Sequence, residues 1–475
     1  MSKNIFLRLI LACLLIADIT YTFRQNYGKP LDGDLAPIVL PSPHYQDVLK
    51  DPLGFHEIAN HERYAGSGRY FSHASMWIWF RPVYFSLAVF FNDPVLRLYV
   101  VAALFNTMVQ VALIFLLSVY ITGSARFWQL GFLLAAFLVT PFFEIHGFYE
   151  SIAIIDGAIT YTFFYAFPLA ILLLYVLPFY LSWYNNKPVF FKKWMYPFWV
   201  FLAFFLAFSG PLIAPLILLC CFFGLAVFIV NSINMSKNLV YEIKALSFPV
   251  KFNFILVVLL SIYSYFLGKF NVENVTKLRW DESYPKLWEG LKLYFTRDMG
   301  FILMLVILLV NYIVSKMKKI HLPVFTKETG TILILLVIIY ILLLPLGGFR
   351  IYRPLILRYD TFMPVTLLLI FCIGCGSYGI IQSVKGISFY AYSVFILTVL
   401  CYYTVSDEPR FSDNLCQKNS LYKLRASEAP VTYLGNECTE LNWWVKYDTT
   451  GTRNISEMLF QWGITDKFKP FAGEP

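Results

Sequence analysis

Runs of roughly 18–25 consecutive apolar residues recur along this chain, each long enough to cross the hydrocarbon core of a bilayer. We read about eleven, at 5–22, 95–118, 127–143, 159–182, 194–209, 211–231, 252–268, 299–315, 330–346, 359–382 and 387–404. Only 14% of the 475 residues are charged and 59% are hydrophobic, where soluble domains carry about 25% charge. A soluble enzyme, a disordered chain and a nucleic-acid-binding module are thereby excluded. The expected fold is an all-α polytopic membrane protein.

The N-terminus resembles an uncleaved signal anchor. Ile10-Leu11-Ala12-Cys13 looks like a lipoprotein cleavage string, but the apolar run continues through Leu14, Leu15 and Ile16. The net charge of +9 has a topological meaning. With the N-terminus inside, Lys3, Arg8, Arg126, Lys187, Lys192, Lys193, Lys237, Lys244, Lys251, Lys316, Lys318, Lys319, Lys327 and Lys385 fall on alternate connections, opposed there only by Glu242 and Glu328. The positive-inside rule then sets the long polar stretches outside. These are a large first loop 24–93, later loops 143–158, 269–298 and 347–358, and the tail 405–475. The expected division is a transmembrane domain, 1–404, and a small α/β or irregular extracytoplasmic C-terminal domain, 405–475. Cys416 and Cys438 lie in that tail, where an oxidising compartment lets them bridge.

Chemistry-bearing residues concentrate on the outer side. Asp32-Gly33-Asp34 follows the first span, and carboxylates so near a membrane are costly unless solvated or paired. Such a pair can hold a divalent cation or take a proton from a hydroxyl; the plainer alternative is an Asp-Gly turn. His44, His56, His61 and His73 share the loop, but His56 and His61 would point about 140° apart on a helix and His-Glu-x-x-His is absent. We read these histidines as surface or substrate-facing. Arg81 stands in an aromatic belt, Trp77 to Phe85, either as an anchor or facing a lipid phosphate. Glu144, Glu150 and Asp156 mark the second loop. Arg350, Arg353 and Arg358 face outward in the fourth, against the charge rule, and arginine forks fit phosphate.

The order of these motifs resembles the GT-C class of membrane glycosyltransferases. The resemblance lies in the acidic motif directly after the first span, in Arg81-Pro82-Val83-Tyr84 leading to Asn92-Asp93-Pro94-Val95-Leu96-Arg97-Leu98, and in Arg358-Tyr359 with Pro364 entering a late span. It implies a module of the first seven or so spans with their two outer loops, and sugar transfer from a polyprenyl-phosphate or polyprenyl-diphosphate donor to an acceptor glycan, lipid or protein. By the same resemblance Asp32 or Asp34 matches the first-loop catalytic acid and Glu150 or Asp156 the second-loop acid. Arg350, Arg353, Arg358 and Tyr359 match the donor-phosphate clamp. The second loop lacks a paired-acid motif, which leaves open both its acting residue and a metal; Mg, Mn or Ca between Asp34 and Glu150 is the cofactor to test for. Inversion at the sugar carbon and a bacterial inner membrane with an extracytoplasmic site are the further expectations. Rival readings are a glycan polymerase or ligase, a lipid or glycan transporter, and a non-catalytic scaffold.

Overall fold

The structure is a computed structural model that describes all residues except 1–2, 148–151, 186, 188, 190–191, 211, 235–240, 242, 245, 275–277, 298, 323–325, 348, 350–352, 446 and 475. After α1 (Lys3–Gly28) the first connection forms α2 (Leu35–Val39), α3 (Pro43–Lys50), α4 (Phe55–Asn60) and α5 (Tyr70–Ser86). Then come α6 (Pro94–Thr122), α7 (Leu130–Val139), α8 (Ile159–Tyr184), α9 (Tyr196–Ala207), α10 (Ile213–Asn234) and α11 (Phe248–Leu267). An amphipathic α12 (Trp280–Thr296) precedes α13 (Gly300–Met317), α14 (Lys327–Leu343), α15 (Tyr359–Ser383) and α16 (Ile387–Ser406). The tail holds α17 (Leu415–Ala426), β1 (Thr432–Leu434), α18 (Arg453–Gln461) and β2 (Phe471–Gly473), the strands pairing in parallel with Thr432 opposite Phe471. Among the described residues nine helices are long and apolar enough to cross a membrane. The protein is a polytopic, helical membrane protein.

Local chemistry sets the helix ends. Asp93 caps α6 by accepting the Val95 N–H at 2.9 Å, and Pro94 fills the first helical position, where no N–H is needed. Gly123, at φ 67°, ends it in the left-handed conformation that glycine adopts freely. Most of α6 is enclosed by other helices, so its polar side chains need internal partners. Asn106 donates to Asn26 and Gln110 to Thr22, both at 3.3 Å, and thereby tie α6 to α1. The bundle closes where a Cβ at Gly374 of α15 would sit 2.5 Å from Ile121 and 2.8 Å from Val139.

Two expected spans differ from the structure. Residues 127–143 and 194–209 contain only the shorter apolar helices Leu130–Phe142 and Lys193–Ala207. At helical rise each is about 20 Å long, less than a hydrocarbon core of about 30 Å. Pro141 sits in the closing turn of the first, and Pro197 in the opening turn of the second, where its missing N–H is tolerated.

Hydrogen bonds gather the connections at one end of the bundle. Thr160 Oγ1 at the start of α8 donates to Asp32 after α1 (2.6 Å), Ser72 Oγ to the Ser209 carbonyl after α9 (2.7 Å), and Tyr263 of α11 to the Leu53 carbonyl (2.7 Å). Tyr284 of α12 reaches the Leu342 carbonyl of α14 at 3.1 Å, and Tyr403 of α16 the Gly300 carbonyl of α13 at 2.6 Å.

The tail belongs to this same end and does not stand apart. Gln417 donates to the Leu31 carbonyl (3.0 Å) and accepts the Leu31 N–H (2.9 Å) and the Tyr99 hydroxyl (2.8 Å). Tyr84 donates to the Trp462 carbonyl at 2.9 Å. Leu421, Leu424, Met458 and Leu459 join the core that the bundle helices build. The boundary expected at 404/405 therefore divides composition, not packing. Cys416 and Cys438 form a disulfide.

Candidate functional site

Asp32 and Asp34 have separate positions. Asp32 is buried; one oxygen accepts the Thr160 hydroxyl and the Asp34 N–H (2.6 and 3.0 Å), the other the Thr160 N–H (2.9 Å). Burial, then the Asp34 charge, push its pKa well above the usual carboxylate range against those hydrogen bonds. Its geometry pins the first loop to the start of α8. Asp34 is half-buried and lines a crevice of about 40 Å³ with Arg69, His73, Tyr161, Glu273 and Arg353. That volume holds about one water molecule.

The crevice adjoins two larger spaces, because Arg69 lines all three and Arg353 lines two. One is an apolar groove of about 480 Å³, walled by Leu212, Leu218, Leu219 and Phe222 on one side and Ile339, Tyr340 and Leu343 of α14 on the other. Arg69, Arg353 and Arg358 stand in its wall. The other is a chamber of about 560 Å³ with a mixed lining, in which Arg63, Ser67, Lys269, Asn271 and Ser283 stand beside Pro345, Leu346 and Phe349. Both volumes are of ligand size.

The arginines are held by acids. Arg358 forks onto Asp360 with bonds of 3.1 and 3.0 Å and also donates to the Leu355 carbonyl at 3.1 Å. Arg353 approaches the same Asp360 at 3.4 Å, donates to the Tyr161 hydroxyl and lies over the Tyr161 ring, 5.0 Å from its centroid. Arg69 pairs with Glu273 at 3.0 Å. His73, on the first turn of α5, is buried between the rings of Tyr45 and Phe164, and its Nδ1 has no hydrogen-bond partner among the described residues. Burial first, and then Arg69, lower its pKa to about 3, so the imidazole is neutral.

Asp156 is buried beside α15. It accepts the Ala158 N–H at 2.6 Å, Lys29 donates to its backbone carbonyl at 2.6 Å, and the Tyr359 hydroxyl faces its carboxylate. Burial outweighs these contacts and raises its pKa well above the usual range. Immediately downstream, Thr162–Ala166 form a π-helical turn, a feature often found at functional sites. Glu144 accepts the Ser406 hydroxyl at 2.7 Å and so joins the second loop to the end of α16.

Asp34 and Arg353 are thus brought together, with Arg358 and Tyr359 close behind through Asp360 and Asp156. Arg81 is not part of this group: it is exposed on α5, next to exposed Ile78 and Phe85, and lines none of the cavities. Glu150 and Arg350 lie outside the described residues. The expected metal pair, Asp34 with Glu150, therefore has only one member among the described residues; the crevice around Asp34 includes two guanidinium groups, and among the described residues no group of three or more His, Cys, Asp or Glu could hold an ion. Sequence reasoning missed Arg69 and Tyr161, and it read His73 as surface or substrate-facing, whereas the residue is buried against the crevice. One signal was present: Gly66-Ser67-Gly68 precedes Arg69, with both glycines at positive φ, 82° and 73°. No protein-family model, curated protein or solved structure matches the chain.

Proposed function

We propose that this protein transfers a sugar from a polyprenyl-phosphate or polyprenyl-diphosphate donor to an acceptor glycan, lipid or protein, in the manner of a GT-C glycosyltransferase. One observation carries the proposal: a carboxylate, Asp34, stands one arginine away from an apolar groove that has three arginines in its wall. The groove suits a lipid tail, the guanidinium groups a phosphate, and the polar side chains of the mixed chamber the sugar and its acceptor. Asp34 takes the acceptor's proton as its oxygen attacks the anomeric carbon, and Arg69 and Arg353 stabilise charge growing on the departing phosphate.

The topology we propose has eleven crossings, the N-terminus inside and the site extracytoplasmic, in a bacterial inner membrane. Contacts of Asp32 with Thr160 and of Ser72 with Ser209 support it, because the two short helices must then carry the chain back across between them. The disulfide is in keeping with an oxidising compartment.

The experiment is a reconstituted assay with polyprenyl-linked sugar donors. Asp34→Asn is expected to lower transfer by about 10²- to 10⁴-fold while donor binding persists. Wild-type transfer by that variant sinks the mechanism. Normal transfer accompanied by reduced lipid flux across the bilayer would put a transporter in its place.

A further inference from the structure

The tail reaches the site through Trp443. A Cβ on Gly33 would lie 2.6 Å from the Trp443 backbone nitrogen and 2.8 Å from the Asn442 carbonyl carbon. Gly33 is therefore needed for the close approach of a segment some four hundred residues away. Two residues before Trp443, Leu441 holds φ 49° although it is not glycine, and it is fully buried. Such a conformation persists only where the surroundings over-determine it.

These features deliver a specific contact. The Trp443 indole N–H donates to Asp34 Oδ1 at 3.0 Å. Its ring lies 6.0 Å from that of Tyr161 at 31°, and Tyr161 in turn receives Arg353. Packing does not account for the arrangement, because Trp443 remains 43% exposed. A strained, glycine-dependent turn thus presents a half-exposed indole to one carboxylate.

We propose that Trp443 is a positioning residue for Asp34: the tail-borne N–H fixes which carboxylate oxygen faces the crevice, and the indole and Tyr161 rings link that carboxylate to the arginine beside the groove. The proposal rests on Asp34 as the base of the transfer reaction. A neutral donor suits the task, since it orients the carboxylate without adding a further full charge to the two guanidinium groups already lining the crevice. Trp443 touches no reacting atom and acts through Asp34 alone.

The test uses the full-length protein in lipid nanodiscs with polyprenyl-phosphate sugar donors. Trp443→Phe keeps an aromatic ring beside Tyr161 and removes the N–H. It is expected to lower kcat about tenfold or more with little change in donor KM. The acid limb of the pH–rate profile should move to higher pH, because the lost hydrogen bond favours the charged carboxylate. Gly33→Ala, which displaces the Trp443 backbone, is expected to reproduce the kcat loss. In protein labelled with 5-fluorotryptophan, the ¹⁹F resonance that Trp443→Phe deletes should shift in Asp34→Asn. Wild-type kcat and an unchanged pH profile for Trp443→Phe overturn the proposal alone, as does a resonance indifferent to Asp34→Asn. Absence of transfer by the wild-type protein overturns the glycosyltransferase reading, and this proposal with it.

Discussion

Asp360 serves two arginines at the start of α15, and that sharing gives Arg353 and Arg358 different duties. Arg358 is bidentate to Asp360, which is 1% exposed. Its removal leaves Arg353 as the only described cation on a buried carboxylate, at 3.4 Å. Breaking a buried pair typically costs about 3–5 kcal/mol, so Arg358→Ala should lose stability in a thermal melt before any donor effect is measurable. Arg353→Lys keeps the charge but loses the fork shared between Asp360 and Tyr161, and should raise donor KM with the melt little changed. His73 makes a separate prediction. The fold holds it neutral with a pKa near 3, below the ordinary value of 6.5. Its stabilising contribution is complete above pH 6.5 and drains as pH falls toward 3, because the unfolded chain takes up the proton first. Stability–pH curves should therefore fall less on the acid side for His73→Gln than for the parent; identical curves would refute the assignment. Asp34 was legible in the sequence because a carboxylate beside a membrane is costly by itself. Arg69 and His73 were not, since only tertiary packing turns them toward that carboxylate.

Helices of 18 residues or more were legible because an unbroken apolar run admits little else in a bilayer. The 127–143 run was drawn longer than its helix, Leu130–Phe142, since an apolar run does not say where a helix starts. The π-helical turn at Thr162–Ala166 left no trace in composition, although it follows directly on Thr160 and Tyr161, the residues that meet Asp32 and Arg353. Two elements invite direct tests. Gly374 lets α15 meet α6 and α7 closely, so Gly374→Val should overpack that contact and cost about 1–3 kcal/mol, read from the melting midpoint. In the tail, Cys416 and Cys438 are 22 positions apart. Closing such a loop is worth roughly 3 kcal/mol in the chain-entropy account. The double Ser variant should unfold the tail at a lower temperature, with cleavage near 438–444 under limited proteolysis; an unchanged digestion pattern would show that the bridge contributes nothing there.

At the scale of the molecule, the polar tail packs against the apolar bundle and shares its core. The composition break near residue 405 suggests a detachable domain, because the polar residues beyond it resemble those of a soluble surface. Several of them are instead docking groups. Asn414 N–H donates to the Gly28 carbonyl at 2.8 Å, the Asn414 side chain reaches the Tyr27 carbonyl, and Gln417 satisfies both backbone groups of Leu31. A Cβ at Gly28 would strike the Phe411 carbonyl carbon at 2.6 Å, so the end of α1 is shaped to receive the tail. Removing the tail would expose Leu31, Leu35 and Ile38 and leave the Leu31 amide and carbonyl without Gln417, a loss of several buried partners at once. A chain ending at Ser406 is therefore expected to lose the first-loop structure and all transfer activity, and to elute as aggregate in detergent size-exclusion chromatography. Supplying residues 407–475 separately should not restore it, since the tail's own apolar side chains belong to the shared core and have no second core to enter. A monodisperse, thermally stable 1–406 fragment would show that the bundle folds alone, and the tail would then be an appendage after all.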